Sequence, residues 1–178
     1  MVNPRTSALC SLLPTTQTPD EERFLYLIGR SHDASTEAAS ASFDSRITAG
    51  PYTFKARWEE TDAPNTVAAI RRMLPLRSKL VHVRWSGEST WVPMGEKRLG
   101  VDFENHTSHP APGEILVYPG GISEMEILFP YGACLFASKV GQLAGNHFAT
   151  VIEGNENLAE IGRLTLWEGA QDFLIEEV

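Results

Sequence analysis

Positive charge is the first thing in short supply. The 178-residue chain has 15 Lys and Arg against 23 Asp and Glu, a formal net charge of -8. A protein that binds nucleic acid through its backbone needs a basic surface to neutralise phosphates. No Lys/Arg-rich patch with interleaved aromatic residues occurs. The composition therefore argues against a nucleic-acid partner.

Cysteines and long apolar runs are also scarce. Cys10 lies in a Pro-rich start and Cys134 lies in an apolar run, so a structural disulfide is not expected. No run approaches the roughly 18 apolar residues that span a bilayer. Pro4, Pro14 and Pro19 interrupt the first residues, which lack the pattern of a signal peptide. We therefore expect a soluble cytoplasmic protein without a membrane partner.

Motifs for cofactors and metals are missing too. The glycines at 141 and 145 lack the strand and helix that give a dinucleotide loop its geometry. No phosphate loop, serine nucleophile elbow or paired-cysteine zinc pattern occurs. His106 and His109 in ENHTSHP raise the question of a metal, but a site needs three or four convergent ligands. The sequence thus predicts no cofactor and no metal.

The chain divides into two parts. Residues 1–49 are rich in Ser, Thr and Pro, and we expect an arm and loop with one added strand at Phe24–Ile28. Residues 50–178 are expected to form the compact domain. An unpaired strand in the arm would invite a neighbouring subunit, so a homo-oligomer is one expectation.

The domain is predicted to be mainly β. Tyr52, Phe54, Ala56 and Trp58 alternate with polar residues, as in a half-buried strand. One helix follows, which Thr61 or Asp62 is expected to cap, and a short helix is expected at 157–162. The further predicted strands are 80–85, 90–94, 114–118, 126–130, 134–139, 146–153, 164–167 and 172–177. This spacing leaves a barrel and a sandwich open.

Three stretches together resemble cyclophilin-like proteins: FKARWEETDAPNTVAAI, SHPAPGEILVYPGG and GNHFATVIEGNENLAEIG. VRWSGESTWVP, ISEMEILFPYG and FASKVGQLAGNHF resemble an uncharacterised bacterial family within that superfamily. The match covers roughly residues 50–178. The resemblance implies a closed eight-stranded barrel with two short helices.

The resemblance does not carry prolyl isomerase activity with it. Cyclophilins use an arginine from a Phe-His-Arg strand motif, and no such tripeptide occurs here. The nearest approach is His82-Val83-Arg84, in which a strand would place His82 and Arg84 on one face. Isomerase activity is therefore not expected.

The richest polar cluster is Arg84, Glu88 and Trp91 in VRWSGESTWVP, a pattern that predicts a hairpin. Arg84 and Glu88 are expected to pair across the turn, beside the flat surface of Trp91. A guanidinium fork next to an aromatic wall suits a carboxylate or a urea-like group. A surface salt bridge and a core tryptophan would account for the same residues.

Two acids flank Met125. Glu124 and Glu126 would share one face of a strand, where each carboxylate raises the pKa of the other. Such a pair suits acid–base chemistry or a metal. If Ile127 and Phe129 face the core, however, both acids simply face water.

Three more side chains join the predicted ligand-binding set. Tyr131 and Lys139 bracket the next hairpin, where Lys139 would receive an anion or remain solvated. His147 stands between Gly145-Asn146 and Phe148, where it would bind a ligand, act as a base or satisfy loop carbonyls.

The leading hypothesis is a barrel that binds a small anionic or amide-bearing molecule in a rim pocket. Arg84, Glu88, Trp91, Tyr131, Lys139 and His147 are expected to converge there. The resemblance also implies an amide or ureide hydrolase, or its accessory subunit, with Glu124, Glu126 or His147 as base. The sequence further leaves open a metal-dependent cupin and a structural or interaction module.

Overall fold

We describe residues 44–178 of a computed structural model of the chain. Strands dominate this part, with one helix before the third strand and another before the last. The strands are β1 (Asp44–Ala49), β2 (Tyr52–Trp58), β3 (Leu76–His82), β4 (Gly87–Pro93), β5 (His106–Thr107), β6 (Glu114–Tyr118), β7 (Glu126–Cys134), β8 (Ala137–Ser138), β9 (Gly141–Gln142), β10 (Gly145–Glu153) and β11 (Gln171–Glu177). The helices are α1 (Pro64–Arg71) and α2 (Leu158–Trp167).

Eight antiparallel strands close into a barrel. Their order is β2-β1-β11-β3-β4-β7-β6-β10, and β10 pairs back onto β2. The two-residue strand β5 pairs with the start of β10, and β8 and β9 form a separate hairpin. This architecture confirms the predicted fold class: mainly β, with a closed eight-stranded barrel and two short helices.

The barrel begins earlier than the sequence suggests. Strand β1 pairs with both β2 and β11, although the sequence pattern favours an arm and loop for its residues. Its alternation is nevertheless clear, since Ile47 and Ala49 are buried while Arg46 is exposed. The predicted added strand at Phe24–Ile28 lies outside the described residues.

The barrel interior is filled by apolar side chains from alternating strand positions. Phe54 of β2 and Phe129 of β7 meet edge to face, with ring centroids 5.5 Å apart. Val67 and Ile70 of α1 and Ile161 of α2 belong to the same buried cluster. The interior is thus a packed core, as expected of a small barrel.

Helix α1 starts without the predicted cap. Its N-cap is Ala63, with no side-chain hydrogen bond, so neither Thr61 nor Asp62 caps it. The Glu104 carboxylate, almost forty residues away, accepts a hydrogen bond from the Thr66 backbone N–H at 2.5 Å. A long-range partner replaces the local cap, because an orphan helix N–H needs only a correctly placed acceptor.

Helix α2 overturns one predicted strand. The strand predicted at 164–167 is wrong, because these residues form the end of this helix. Leu158, Ile161, Leu164 and Thr165 are its buried residues besides Gly162, and their three- and four-residue spacing is helical. Burial of that face overrides the strand preference of a Leu-Thr-Leu-Trp sequence.

A second apolar cluster covers the outer face of the barrel. Its members are Val83, Leu116, Tyr118, Leu128, Phe136 and Leu143, with Trp91 and Cys134 packed against them. Phe136 and Leu143 come from the segment 135–144, which includes the β8–β9 hairpin rather than the predicted strand at 134–139. The segment therefore shields part of the sheet that would otherwise face water.

No helix among residues 44–178 has both the length and the apolar composition to cross a bilayer.

Candidate functional site

The eight predicted site residues fall into three groups. Trp91, Glu124, Glu126 and Lys139 line one cavity on the outer face. Arg84, Glu88 and Tyr131 lie around His82 at the junction of β3, β4 and β7. His147 contacts Glu59 and Thr150 on β10 and the end of β2. The six residues expected to converge are thus divided among these groups.

The first group forms a cavity of about 100 Å³ that we call the tryptophan pocket. Its lining residues are Trp85, Trp91, Ser123, Glu124, Glu126, Ser138 and Lys139. The two indole rings lie 6.2 Å apart at 66° to each other. Two aromatic walls with a few polar groups between them are typical of small-molecule sites.

Four separate elements bring these side chains together. Trp85 lies in the 3₁₀ turn Arg84–Ser86, and Trp91 lies on β4 opposite Leu128 of β7. Glu126 starts β7 on the same face as Leu128, because residues two apart in a strand point the same way. Lys139 lies between β8 and β9. The pocket therefore depends on the 135–144 segment folding over the outer face.

Glu126 is the unusual group in the pocket. Its neighbour Ile127 faces the barrel interior, so Glu126 points outward, yet only 2% of it is exposed. Burial, and secondly the Glu124 carboxylate, raise the pKa of Glu126 to about 7. The alternative in which both acids face water is wrong for Glu126, and Glu124 lies just before β7 instead of sharing a strand face with it. The acid–base or metal role suggested for the pair stays a prediction.

One oxygen of Glu126 also lacks a partner. Its Oε1 atom is buried and makes no hydrogen bond within the described part of the chain. An unmatched buried polar atom costs about 1–3 kcal/mol, so it is uncommon unless something else satisfies it.

Trp85 is the pocket residue that the sequence does not single out. Alternation from Leu80 places it on a strand face with Val81 and Val83. Instead β3 ends at His82, and Gly87, with φ 94°, allows the chain to turn after the 3₁₀ segment. Trp85 is consequently 59% exposed. The only local signal is the Ser-Gly pair that follows it.

The second group centres on a hydrogen bond beneath α2. His82 Nε2 and the Tyr131 hydroxyl lie 2.8 Å apart, and the Tyr131 ring lies against Gly162 of α2. Burial, with a smaller contribution from Arg84, lowers the pKa of His82. Burial and Glu88 raise the pKa of Tyr131, which Arg84 opposes. These shifts favour the neutral forms of both partners.

Two expectations for this group are wrong. Arg84 lies in the 3₁₀ turn after β3, so it does not share a strand face with His82. Within residues 44–178 no ion pair joins Arg84 to Glu88; Glu88 instead accepts a hydrogen bond from the Ala133 backbone N–H at 2.8 Å. That bond ties the start of β4 to β7, which is a structural contribution.

The third group is a short hydrogen-bonded chain. The Thr150 hydroxyl donates to Glu59 at 2.6 Å and lies 2.8 Å from His147 Nε2. The Asn105 side chain donates to the His147 carbonyl at 2.9 Å. The His147 imidazole thus takes part in hydrogen bonds with neighbouring side chains, and it does not line the tryptophan pocket.

Comparison with known proteins shows which family the chain belongs to. A family model described as a protein of unknown function, DUF3830, matches residues 46–176. The chain belongs to the DUF3830 family. None of the curated proteins compared with it matches.

A solved structure shows that another protein shares the fold. The DUF3830 chain is similar to the structure of McbB in complex with tryptophan, with a TM-score of 0.54 and 16% identity. That match covers 74% of this chain and 44% of McbB, so the chain spans less than half of McbB. It is also similar to the solution structure of the hypothetical protein AF2241 from Archaeoglobus fulgidus. There the TM-score is 0.49 and the identity 16%, over 77% of this chain and 95% of that one.

The barrel is consistent with the cyclophilin-like resemblance, and membership of that superfamily stays a prediction. The cupin hypothesis depends on the histidines of ENHTSHP. His106 and His109 lie in and beside β5, and no group of three or more His, Cys, Asp or Glu side chains within residues 44–178 is placed to hold a metal ion.

Proposed function

We propose that this DUF3830 protein binds a small amide-bearing molecule, with the amide group in the tryptophan pocket. The observation that carries the proposal is Glu126: a buried carboxyl that lines the cavity and has an unmatched oxygen. In its protonated form this carboxyl has one donor and one acceptor side by side. A primary amide offers the complementary acceptor and donor.

The volume sets the size of what enters. The cavity holds about 100 Å³, while pockets for whole drug-sized ligands measure about 300–1,000 Å³. An acetamide, a urea or the amide end of a longer molecule is therefore the right size.

The charges in the pocket favour a neutral group. Lys139 would repel an organic cation and attract an anion, while Glu124 would do the reverse. These two opposite charges give no net preference for an ion of either sign. A planar amide carries no charge and can lie against an indole face. Of the two ligand classes that the sequence suggests, the amide is thus the better supported.

We expect acetamide at millimolar concentrations to raise the melting temperature near pH 6, and acetate and methylammonium to have less effect. Because the protonated carboxyl is needed, affinity should fall roughly tenfold between pH 6 and pH 8. Titrations monitored by melting temperature and by tryptophan fluorescence would measure both.

Two variants of Glu126 test whether acetamide affinity depends on hydrogen bonding by this side chain or only on its shape. Glu126→Gln keeps a donor and an acceptor, so its acetamide affinity should remain but lose the pH dependence. Glu126→Leu removes both and should abolish the response. Equal responses from wild type and Glu126→Leu, or a stronger response to acetate, would contradict the proposal.

A second candidate function, amide hydrolysis, would use the ionised form of Glu126 in place of the protonated form and has one observation in its favour. A carboxyl with a pKa of about 7 is well suited to general base catalysis by activating a water molecule. NMR of ureides and cyclic amides incubated with the protein would detect products, and Glu126→Gln should abolish them. Absence of turnover across the panel would leave binding as the function.

A further inference from the structure

We infer that the ligand carries an apolar chain behind its amide, and that this chain lies across an apolar rim at the pocket mouth. The inference rests on the proposed function, since the amide anchors the molecule. It names a class of ligand: an amphipathic primary amide whose head is bound by Glu126 and whose tail covers exposed apolar side chains.

The apolar rim consists of Trp85, Ile122, Leu135 and Val140. Trp85 lines the pocket, Ile122 precedes the lining residue Ser123, and Val140 follows Lys139. Leu135 is joined to Trp85's neighbour, because its N–H donates to the Ser86 carbonyl at 3.0 Å. Each of the four is thus a lining residue, the sequence neighbour of a lining residue, or joined by a backbone hydrogen bond to the turn that carries Trp85.

These side chains are unusually accessible to solvent. Ile122 is 74% exposed, Val140 48% and Leu135 42%. Eight large hydrophobic residues are exposed within residues 44–178, and the rim contributes four of them. Scattered exposed apolar side chains are ordinary, whereas several around one cavity are typical of a binding surface.

The backbone of the rim is fixed by hydrogen bonds. Besides the bond of Leu135, the Ile122 N–H donates to the Tyr118 hydroxyl at 3.2 Å. The Val140 N–H donates to the Ser138 side chain at the same distance. The exposed side chains are therefore held beside the opening before any ligand arrives, which lowers the entropy cost of binding.

The position of the rim favours a molecule bound in the pocket, because Trp85 both lines the pocket and belongs to the rim. From their exposed fractions, the four side chains present on the order of 500 Å², within the size of the largest apolar patch on an ordinary monomer. A rim of that size suits an alkyl chain of a few carbons. Contacts between such a tail and the rim would also add to the affinity of a ligand whose amide head is small.

A series of primary amides from acetamide to octanamide tests the inference by calorimetry near pH 6. Each methylene that contacts the rim should tighten binding roughly two- to fourfold, until the rim is covered. In the double variant Leu135→Ser/Val140→Ser the gain in affinity with chain length, measured relative to that variant's own acetamide affinity, should be much flatter than in wild type. Ile152→Ser, which removes an exposed apolar side chain of β10 outside the pocket lining, serves as the matched control.

The outcomes distinguish this inference from the function on which it rests. If acetamide binds in a Glu126-dependent way but longer amides bind no tighter, the inference is overturned and the proposed function stands. If no amide depends on Glu126, the proposed function fails. Tighter binding of octanoate than octanamide would overturn the amide head. Sedimentation that shows a dimer lost in the double variant would overturn the tail and assign the rim to a second copy.

Discussion

Glu126→Gln is expected to make the protein more stable than wild type above pH 7 and equally stable near pH 5. The folded-state pKa of Glu126 is about 7, against 4.5 for the free side chain. A raised carboxyl pKa means that the folded state holds its proton more tightly than the unfolded state. Wild-type stability therefore falls as pH rises from about 4.5 through about 7.

The size of this effect follows from the shift. At about 1.4 kcal/mol per pKa unit, the buried ionised carboxylate costs wild type roughly 3 kcal/mol once Glu126 is fully ionised. Glutamine carries no charge and does not incur that cost. For a domain of this size the melting temperature should differ by on the order of 10 °C near pH 9.

Thermal unfolding of three variants across pH would check the cause. Glu124→Gln should produce a smaller gain in the same direction, because Glu124 is the lesser contributor to the raised pKa of Glu126. Glu96→Gln replaces an exposed acid and should leave the wild-type profile unchanged. If Glu126→Gln and wild type showed parallel pH profiles, Glu126 would not be buried in the ionised state.

Gly162→Ala is expected to destabilise the protein by roughly 1–3 kcal/mol, although alanine favours a helix by about 1 kcal/mol over glycine. A Cβ at position 162 would lie 2.5–2.6 Å from three atoms of the Tyr131 ring. That ring is fixed by its hydrogen bond to His82, so it has little freedom to move aside. Overpacking should therefore outweigh the gain in helix propensity.

A double-mutant cycle with Tyr131→Ala isolates the contact. Removing the ring makes space, so Gly162→Ala should cost far less in the Tyr131→Ala background, and the two changes should not be additive. Ala159→Gly, at an exposed position of the same helix, measures the effect of helix propensity alone. Urea unfolding would give all five free energies of unfolding. Additive effects would show that the close approach of Gly162 and Tyr131 does not matter.

Local patterns predict most of the strands, because each strand carries its own signal, whereas the closed barrel is implied by the resemblance and not by the strand spacing. The alternation at Phe54, Ala56 and Trp58 predicts β2, and Pro64 with the apolar face of Val67 and Ile70 predicts α1. Both are dictated by neighbours along the chain. The end of α2 is predicted wrongly because Leu-Thr-Leu-Trp has strand propensity, and only packing against the barrel decides in favour of the helix.

The site is harder to predict because its cause is not local. Alternation correctly places Ile127 inward and Glu126 outward, and outward normally means solvated. Glu126 is buried because the outer face around it is packed over by the 135–144 segment and the turn that carries Trp85. Four of the eight predicted site residues do line one cavity. Glu88 and His147 instead bond to groups that no spacing rule identifies.

The tryptophan pocket lies on the outside of a barrel whose interior is filled, so the residues that line the pocket are not those that form the barrel core. Side chains such as Phe54 and Phe129 stabilise the barrel from inside. The β8–β9 hairpin and the turn that carries Trp85 pack on its outer face and contribute the residues proposed to bind the ligand. Exchanging the exposed residues of 135–144 while keeping the buried Phe136 and Leu143 should therefore change which molecule is bound and leave the barrel folded.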